Sequence, residues 1–267
     1  MNTSIGIVGC GAIGRKLLEE SSSGRFKVHI TGVNSRSADN ARSFLSTLDN
    51  PPPYLDLPEL ISRSDLIIEA AGGTVVPTLA SGCFAAGKNL MVISVGALLD
   101  HPNIVKQARQ SGNHLFIPSG AIAGLDGIKS ACKGQVNHVT MISRKPPDAL
   151  EGAPYILEHQ ISLTNIKGEK LLFDGSARDA CKGFPANINV SAAVSLAGVG
   201  PDLTRVKILA VPGLSRNCHD VEVAGEFGLL NIHVENVPSE NPKTGRLTSL
   251  SIMRSIEDSI DMFHIGT

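Results

Sequence analysis

A hexapeptide near the start of the chain restricts the fold more than any other feature. Gly9-Cys10-Gly11-Ala12-Ile13-Gly14 has the spacing G-x-G-x-x-G. It follows an apolar run, Ser4–Val8, that reads as a strand, and it opens a pattern that reads as a helix from Ala12 to Glu20. In that setting each glycine has a physical reason. Gly9 permits the tight turn, Gly11 lets a pyrophosphate approach the backbone, and Gly14 lets the helix pack close to the strand. The first helical turn, with Ala12 and Ile13, presents free N–H groups and a partial positive charge to the phosphates. The motif therefore predicts an N-terminal dinucleotide-binding unit of Rossmann type.

The chain up to residue 120 keeps this alternation. Strands are expected at Lys27–Val33, Asp65–Ala70, Asn89–Ser94 and His114–Ile117. Helices are expected at Ala38–Leu48, Pro58–Ser62, Val75–Ala86 and Asn103–Gln110. Continuous apolar strands separated by helices imply a parallel sheet covered on both faces. After Pro118 the pattern changes. Strands are expected at Val136–Ser143, Ile156–Asn165, Lys170–Asp174, Arg205–Val211, Val221–Ala224 and Leu229–Val234, with helices near Ile188–Ala197 and Leu250–Met262. The fold class is α/β, a Rossmann domain over residues 1–120 followed by an α+β domain over 121–267. The last helix, about 247–262, is read as packing back on the Rossmann domain. Segments 145–154 and 238–246, rich in proline, glycine and charge, read as exposed loops.

Composition excludes several classes. Lys+Arg is 24 against Asp+Glu 25, so the basic excess of a nucleic-acid binder is missing. The same balance gives no polybasic membrane surface. Trp is absent and Tyr is 2, too few for an aromatic RNA platform. The five cysteines form no CxxC pair and His/acid spacings such as HExxH are missing, so neither a disulfide framework nor a metal site is expected. No secretory leader and no apolar run of membrane-spanning length are read, so a cytoplasmic protein is expected.

The second strand ends Gly32-Val33-Asn34-Ser35-Arg36-Ser37, without the acid that an NAD enzyme places against the ribose 2′-hydroxyl. Asn34 and Ser35 can bond a hydroxyl or phosphate oxygen, and Arg36 can pair with a 2′-phosphate. NADP or NAD is therefore the expected cofactor. Ala70 and Ala71, at the carboxyl end of the DLIIEA strand, are small enough for a cofactor to approach.

Several stretches together resemble the L-aspartate dehydrogenase family. They are residues 5–14, Ile-Ser-Val-Gly-Ala-Leu (93–98), Pro-Ser-Gly-Ala-Ile-Ala-Gly-Leu-Asp (118–126), Ser-Arg-Lys-Pro-Pro (143–147), Phe-Pro-Ala-Asn-Ile-Asn-Val-Ser-Ala-Ala (184–193) and Ser-Arg-Asn-Cys-His-Asp-Val-Glu-Val (215–223). The resemblance covers nearly the whole chain. It implies oxidation of L-aspartate with NAD or NADP to iminoaspartate, which hydrolyses to oxaloacetate and ammonia or feeds NAD biosynthesis. It also implies a homodimer. The family's catalytic histidine falls on His219, and its cofactor-binding asparagine on Asn189, with Asn187 as a second candidate that we assign to substrate. A small residue after Pro-Ser-Gly touches the cofactor, a role for Ala121 or Ala123.

The residues support the same chemistry. Amine oxidation removes a hydride from Cα and a proton from nitrogen, and a histidine suits the proton. His219 is one of eight histidines, set in a polar segment at a strand start, with Asp220 or Glu222 as candidate partners for its ring. A substrate with two carboxylates calls for cations. Arg144, Lys145, Lys182 and Arg216 are candidates, with Lys145 preferred. Cys218 reads as incidental, because hydride loss needs no covalent intermediate. Two other functions fit the glycine motif: a two-domain dehydrogenase of homoserine type, and an NADP(H)-binding protein without turnover.

Overall fold

In the computed structural model, which describes residues 3–185, 189–238 and 245–266, the chain divides into two units. The first comprises Met1–Pro118 with Ile252–Phe263, the second Ser119–Ser251 with His264–Thr267.

The first unit holds five strands, β1 (Ser4–Val8), β2 (His29–Asn34), β3 (Leu66–Glu69), β4 (Asn89–Val92) and β5 (Leu115–Phe116), in the order β2-β1-β3-β4-β5. Every pairing is parallel. Helices α1 (Ala12–Ser22), α2 (Ala38–Leu45), α3 (Leu57–Arg63), α4 (Val76–Ala85), α5 (Ala97–Asp100) and α6 (Asn103–Ser111) connect them. All four residues of β3 are buried, as expected for a strand covered on both faces. Strand β1 buries Ile5, Ile7 and Val8 beside Leu17 and Leu18 of α1. Asp56 caps α3 by accepting from the Glu59 N–H at 2.8 Å.

The second unit opens with α7 (Leu125–Ala131) and β6 (Val136–Lys145). It continues through α8 (Pro154–Glu158), β7 (Lys170–Ser176), α9 (Ala177–Gly183), α10 (Asn189–Ala197), β8 (Thr204–Ala210), β9 (Asn217–Gly225) and β10 (Gly228–Asn236). Its sheet has the order β10-β9-β6-β8-β7 and is mixed: β6 and β8 run parallel, the other pairs antiparallel. Alternation along β6 buries Val139, Met141, Ser143 and Lys145, while Thr140, Ile142 and Arg144 reach the other face. The last helix, α11 (Arg246–Ile260), buries Ile252 and Ile256 in the first unit's core with Ile5, Leu66 and Met91.

Two expectations need correction, and the short helix α5, like α9, is not among the expected elements. Ile156–Asn165 is not a strand: Pro154 starts α8, and Gln160 and Asn165 take φ values of 51° and 55° that interrupt an extended chain. Tyr155 stacks on His159 at 3.9 Å one helical turn on. Helix α9 was not anticipated; Ser176 caps it by accepting from the Asp179 N–H at 3.1 Å. Segment 145–154 is not an exposed loop, since Lys145, Leu150 and Ala153 are buried. Of the expected loop 238–246, residues 239–244 lie outside the described residues.

Candidate active site

The carboxyl ends of the first sheet's strands line up in one row. Val8 pairs with Asn34 on one side and with Glu69 on the other, and Glu69 pairs with Val92. The glycine motif leaves β1 at this edge, where open α/β sheets bind ligands. Gly9 has φ 112°, and a Cβ there would lie 2.3 Å from the Ala70 carbonyl oxygen. A Cβ on Gly14 would lie 2.0 Å from the carbonyl oxygen of Gly9. These two glycines are required by the protein's own packing. Gly11 is different: a Cβ there meets no protein atom within 4 Å. It is the N-cap of α1 and supplies no side-chain cap, so the first-turn N–H groups have no side-chain partner there. An open glycine at an uncapped helix start fits a pyrophosphate.

The residues after β2 are partly committed to the fold. Asn34 donates its side-chain N–H to the Leu55 carbonyl at 2.8 Å, and the Tyr54 hydroxyl donates to the Ser35 carbonyl at 2.8 Å. Arg36 is exposed. Ala70 donates its N–H to the Val8 carbonyl at 2.7 Å, which sets the turn after β3 beside the glycine loop.

In the second unit, His219 is 2% exposed on β9, directly opposite Ser143 of β6. The Ser143 hydroxyl lies 2.9 Å from its Nδ1. Lys145, two residues along β6 on the same face, is 5% exposed. Burial pushes the lysine down to about 8. Burial, then the charge of Lys145, pushes His219 down to about 3, with Asp220 opposing. The imidazole is therefore neutral at pH 7, the form that accepts a proton.

Neither expected ring partner holds His219. Asp220 lies on the opposite face of the sheet, bonded to Arg144 and to His233, and Glu222 bonds His138 at 2.8 Å. Adjacent strand residues point to opposite faces, which excludes Asp220 from the ring. Ser143 is the partner sequence reasoning missed. Arg144 also pairs with Glu169 at 3.1 Å, and Arg216 with Glu235 at 2.7 Å. Of the four candidate cations, Lys145 alone is buried. Cys218 donates toward the Arg216 carbonyl, and burial raises its thiol.

Ala121 and Ala123 lie in the loop before α7. Its backbone is fixed by Asn236, which donates to the Ala121 carbonyl at 2.8 Å, and by Ser251, which donates to the Gly120 carbonyl at 2.8 Å. Asn189 is the first residue of α10 and is exposed. Asn187 lies outside the described residues.

A parallel sheet with a glycine-rich turn at its carboxyl edge, and a second unit carrying a buried neutral histidine, define a nicotinamide-dinucleotide-dependent dehydrogenase. Comparison with known proteins narrows the class. Residues 126–259 match the family model for the C-terminal part of aspartate dehydrogenase, and residues 9–118 match that for the NAD-binding domain of homoserine dehydrogenase. An L-aspartate dehydrogenase of Methanosarcina mazei is 41% identical over 98% of this chain and 99% of its own. L-aspartate dehydrogenase 3 of Bordetella bronchiseptica is 38% identical over 98% of this chain and 97% of its own. The solved aspartate dehydrogenase of Thermotoga maritima superposes with a TM-score of 0.78 at 26% identity, covering 100% of both chains. The chain belongs to the L-aspartate dehydrogenase family. A homoserine dehydrogenase from Thiobacillus denitrificans, at 12% identity and a TM-score of 0.61 over 96% of this chain and 72% of its own, shares the fold alone. No helix among the described residues is long and apolar enough to cross a membrane.

Proposed function

We infer that the protein oxidises L-aspartate with NAD or NADP, giving iminoaspartate, which hydrolyses to oxaloacetate and ammonia. The observation that carries this reading is the buried His219 held by Ser143 with the buried cation Lys145 on the same sheet face. A proton acceptor close to a carboxylate-binding charge is what an acidic amino acid requires.

The dinucleotide, when bound, supplies the acceptor for the hydride that leaves the substrate Cα. Gly11, with the N–H groups of Ala12 and Ile13, would hold its pyrophosphate, in the turn that Gly9 and Gly14 make possible. Asn34, Ser35 and Arg36 serve the adenosine ribose, and Ala70 and Ala71 leave room at the strand ends. The resemblance adds cofactor contacts from Ala121, Ala123 and Asn189, and a substrate contact from Asn187.

Lys145 pairs with a substrate carboxylate. His219 takes a proton from the substrate ammonium, the nitrogen lone pair forms the C=N bond, and the Cα–H electron pair departs as hydride. A carboxylate paired with Lys145 also cancels the positive charge acting on the imidazole, so substrate binding makes His219 a stronger base. Water then adds to the imine carbon and ammonia leaves.

We also propose a cytoplasmic homodimer whose product enters pyridine nucleotide biosynthesis. The resemblance supports this, and for the dimer so does β10, where the apolar Leu229 is 61% exposed. Sedimentation tests the dimer.

The test of the activity is nicotinamide absorbance with purified protein, NAD or NADP, and L-aspartate, D-aspartate, L-glutamate or L-homoserine. Reduction with L-aspartate alone is expected. Reduction with L-homoserine would favour the homoserine reading, and cofactor binding without turnover would mean an inactive binder.

A further inference from the structure

Glu69 ends a strand whose every residue is buried, and it is itself 0% exposed. A buried carboxylate persists only when its oxygens are well supplied with donors. Here the Ala71 and Gly72 N–H groups each donate to Oε1 at 2.8 Å. The Ser94 N–H donates to Oε2 at 2.9 Å, and the Ser94 hydroxyl to Oε1 at 3.0 Å. One carboxylate thus joins the turn after β3 to the turn after β4. These turns lie at the carboxyl edge already assigned to the dinucleotide.

The first of these turns also abuts the glycine loop. The positive φ of Gly9 brings its Cα so close to Ala70 and Ala71 that a Cβ would lie 2.7 Å from the Ala71 nitrogen. The nitrogen that Glu69 holds is the one against which the phosphate loop packs. Gly72, whose N–H is also held, has φ 104°, so the turn takes a course that no ordinary side chain would favour.

The strand order gives this clamp a direction. Asn34, which ends β2, and Ser35 and Arg36 just past it lie on one side of β1, and Glu69, at the end of β3, and Ser94, just past β4, lie on the other. A dinucleotide lying across the β1 turn puts adenosine over β2 and nicotinamide over β3 and β4. We propose that Glu69 is a positioning residue for the cofactor, setting the paired turns after β3 and β4 against the glycine loop so that the nicotinamide half is held. The inference rests on the dinucleotide reading of this edge.

The test is Glu69→Gln in the full-length protein. The amide keeps the size and one acceptor oxygen but turns an NH2 toward one set of N–H donors, so the clamp opens on one side. Titration of reduced cofactor by its fluorescence gives Kd, and inhibition by AMP, the adenosine half alone, gives Ki. The Kd for reduced dinucleotide is expected to rise at least tenfold, with the AMP Ki and the KM for aspartate within about twofold of wild type. An unchanged Kd would overturn the proposal, and so would an equal loss on AMP, which would mean general damage to the unit. If Glu69→Gln does not fold, Ser94→Ala removes one donor only. It is expected to raise Kd about threefold, and a wild-type value would overturn the proposal. A wild-type protein that binds no reduced dinucleotide would instead overturn the dinucleotide reading itself.

Discussion

Ser143 and His219 occupy directly opposed positions on antiparallel strands β6 and β9, with the serine hydroxyl 2.9 Å from Nδ1 of the imidazole. With the hydroxyl donating, Nδ1 is occupied and Nε2 carries the proton; with the hydroxyl accepting, Nε2 is the free base. The second arrangement is the one amine activation needs. His219→Ala is expected to lower kcat about 100-fold or more, the usual worth of a positioned general base. Ser143→Ala keeps the base but frees the ring, and about a tenfold loss in kcat is expected, with Ser143→Thr recovering part of it. Steady-state kinetics on the three variants checks this; wild-type kcat in His219→Ala would remove His219 from the mechanism.

Lys145 is charged below about pH 8 in the folded protein, against an ordinary 10.5. Its hold on a carboxylate is therefore full below that pH and fades above it. KM for aspartate should rise as pH climbs through 8. Lys145→Ala should raise KM about 10- to 100-fold at pH 7, the range for losing a charge-assisted bond, and should flatten the pH dependence. A KM that is the same in both proteins would mean that Lys145 touches no carboxylate.

His219 also links stability to acidity. Its folded value, about 3, lies below the ordinary 6.5, because burial disfavours the imidazolium. Between these pH values the unfolded chain takes up a proton that the folded chain refuses. Stability is thus undiminished by this group above 6.5 and falls as pH drops toward 3, by about 1.4 kcal/mol for each pH unit. Thermal melts from pH 7 to pH 4 should show a shallower decline in His219→Gln than in wild type.

The glycines of the motif should separate by function. Gly14→Ala would press a methyl onto the Gly9 carbonyl oxygen, so it should lower Tm by several degrees. Gly11→Ala meets open space and has an ordinary φ of −90°, so Tm should hold. Its methyl would stand where the pyrophosphate comes, and Kd for cofactor should rise about tenfold or more. Melting curves and cofactor titration on the two proteins decide it; a Gly11→Ala protein with wild-type Kd would contradict the assignment.

Arg36, exposed just past β2, is the group that would meet a 2′-phosphate. Arg36→Ala should cut kcat/KM for NADP about tenfold or more while changing that for NAD little. An unchanged ratio between the two cofactors would leave Arg36 as a solvated loop charge.

Much of this was legible in the chain. The strand, glycine turn and helix at residues 4–22 are local, and each step follows from short-range sterics, so the strands of the first unit's parallel sheet are legible to within two residues at each end. The segments around His219 and Lys145 stood out by composition and resemblance. The segment of helix α8 reads as a strand because Ile161 and Leu163 alternate with polar neighbours, and nothing local reveals the ring cluster of Tyr155, Phe173 and Phe184 that holds the helix. Glu69 did leave a signal, a lone charge closing the wholly apolar run Leu66–Ile68, although its partners could not be named.

Sequence alone determined the dinucleotide turn and the order of the strands in the first unit, because those depend on neighbours within a few residues; the choice of His219 among eight histidines came from the resemblance. Tertiary structure decided the partners. Asp220 adjoins His219 in the chain yet faces away from it, while Ser143, 76 residues distant, meets the ring. Alternation along a strand fixes which residues share a face, but only the register between β6 and β9 brings two such faces into one row. In the same way, Glu69 reaches Ser94 because β3 and β4 are adjacent and parallel, and its bonds to both turns make one buried carboxylate the tie between them.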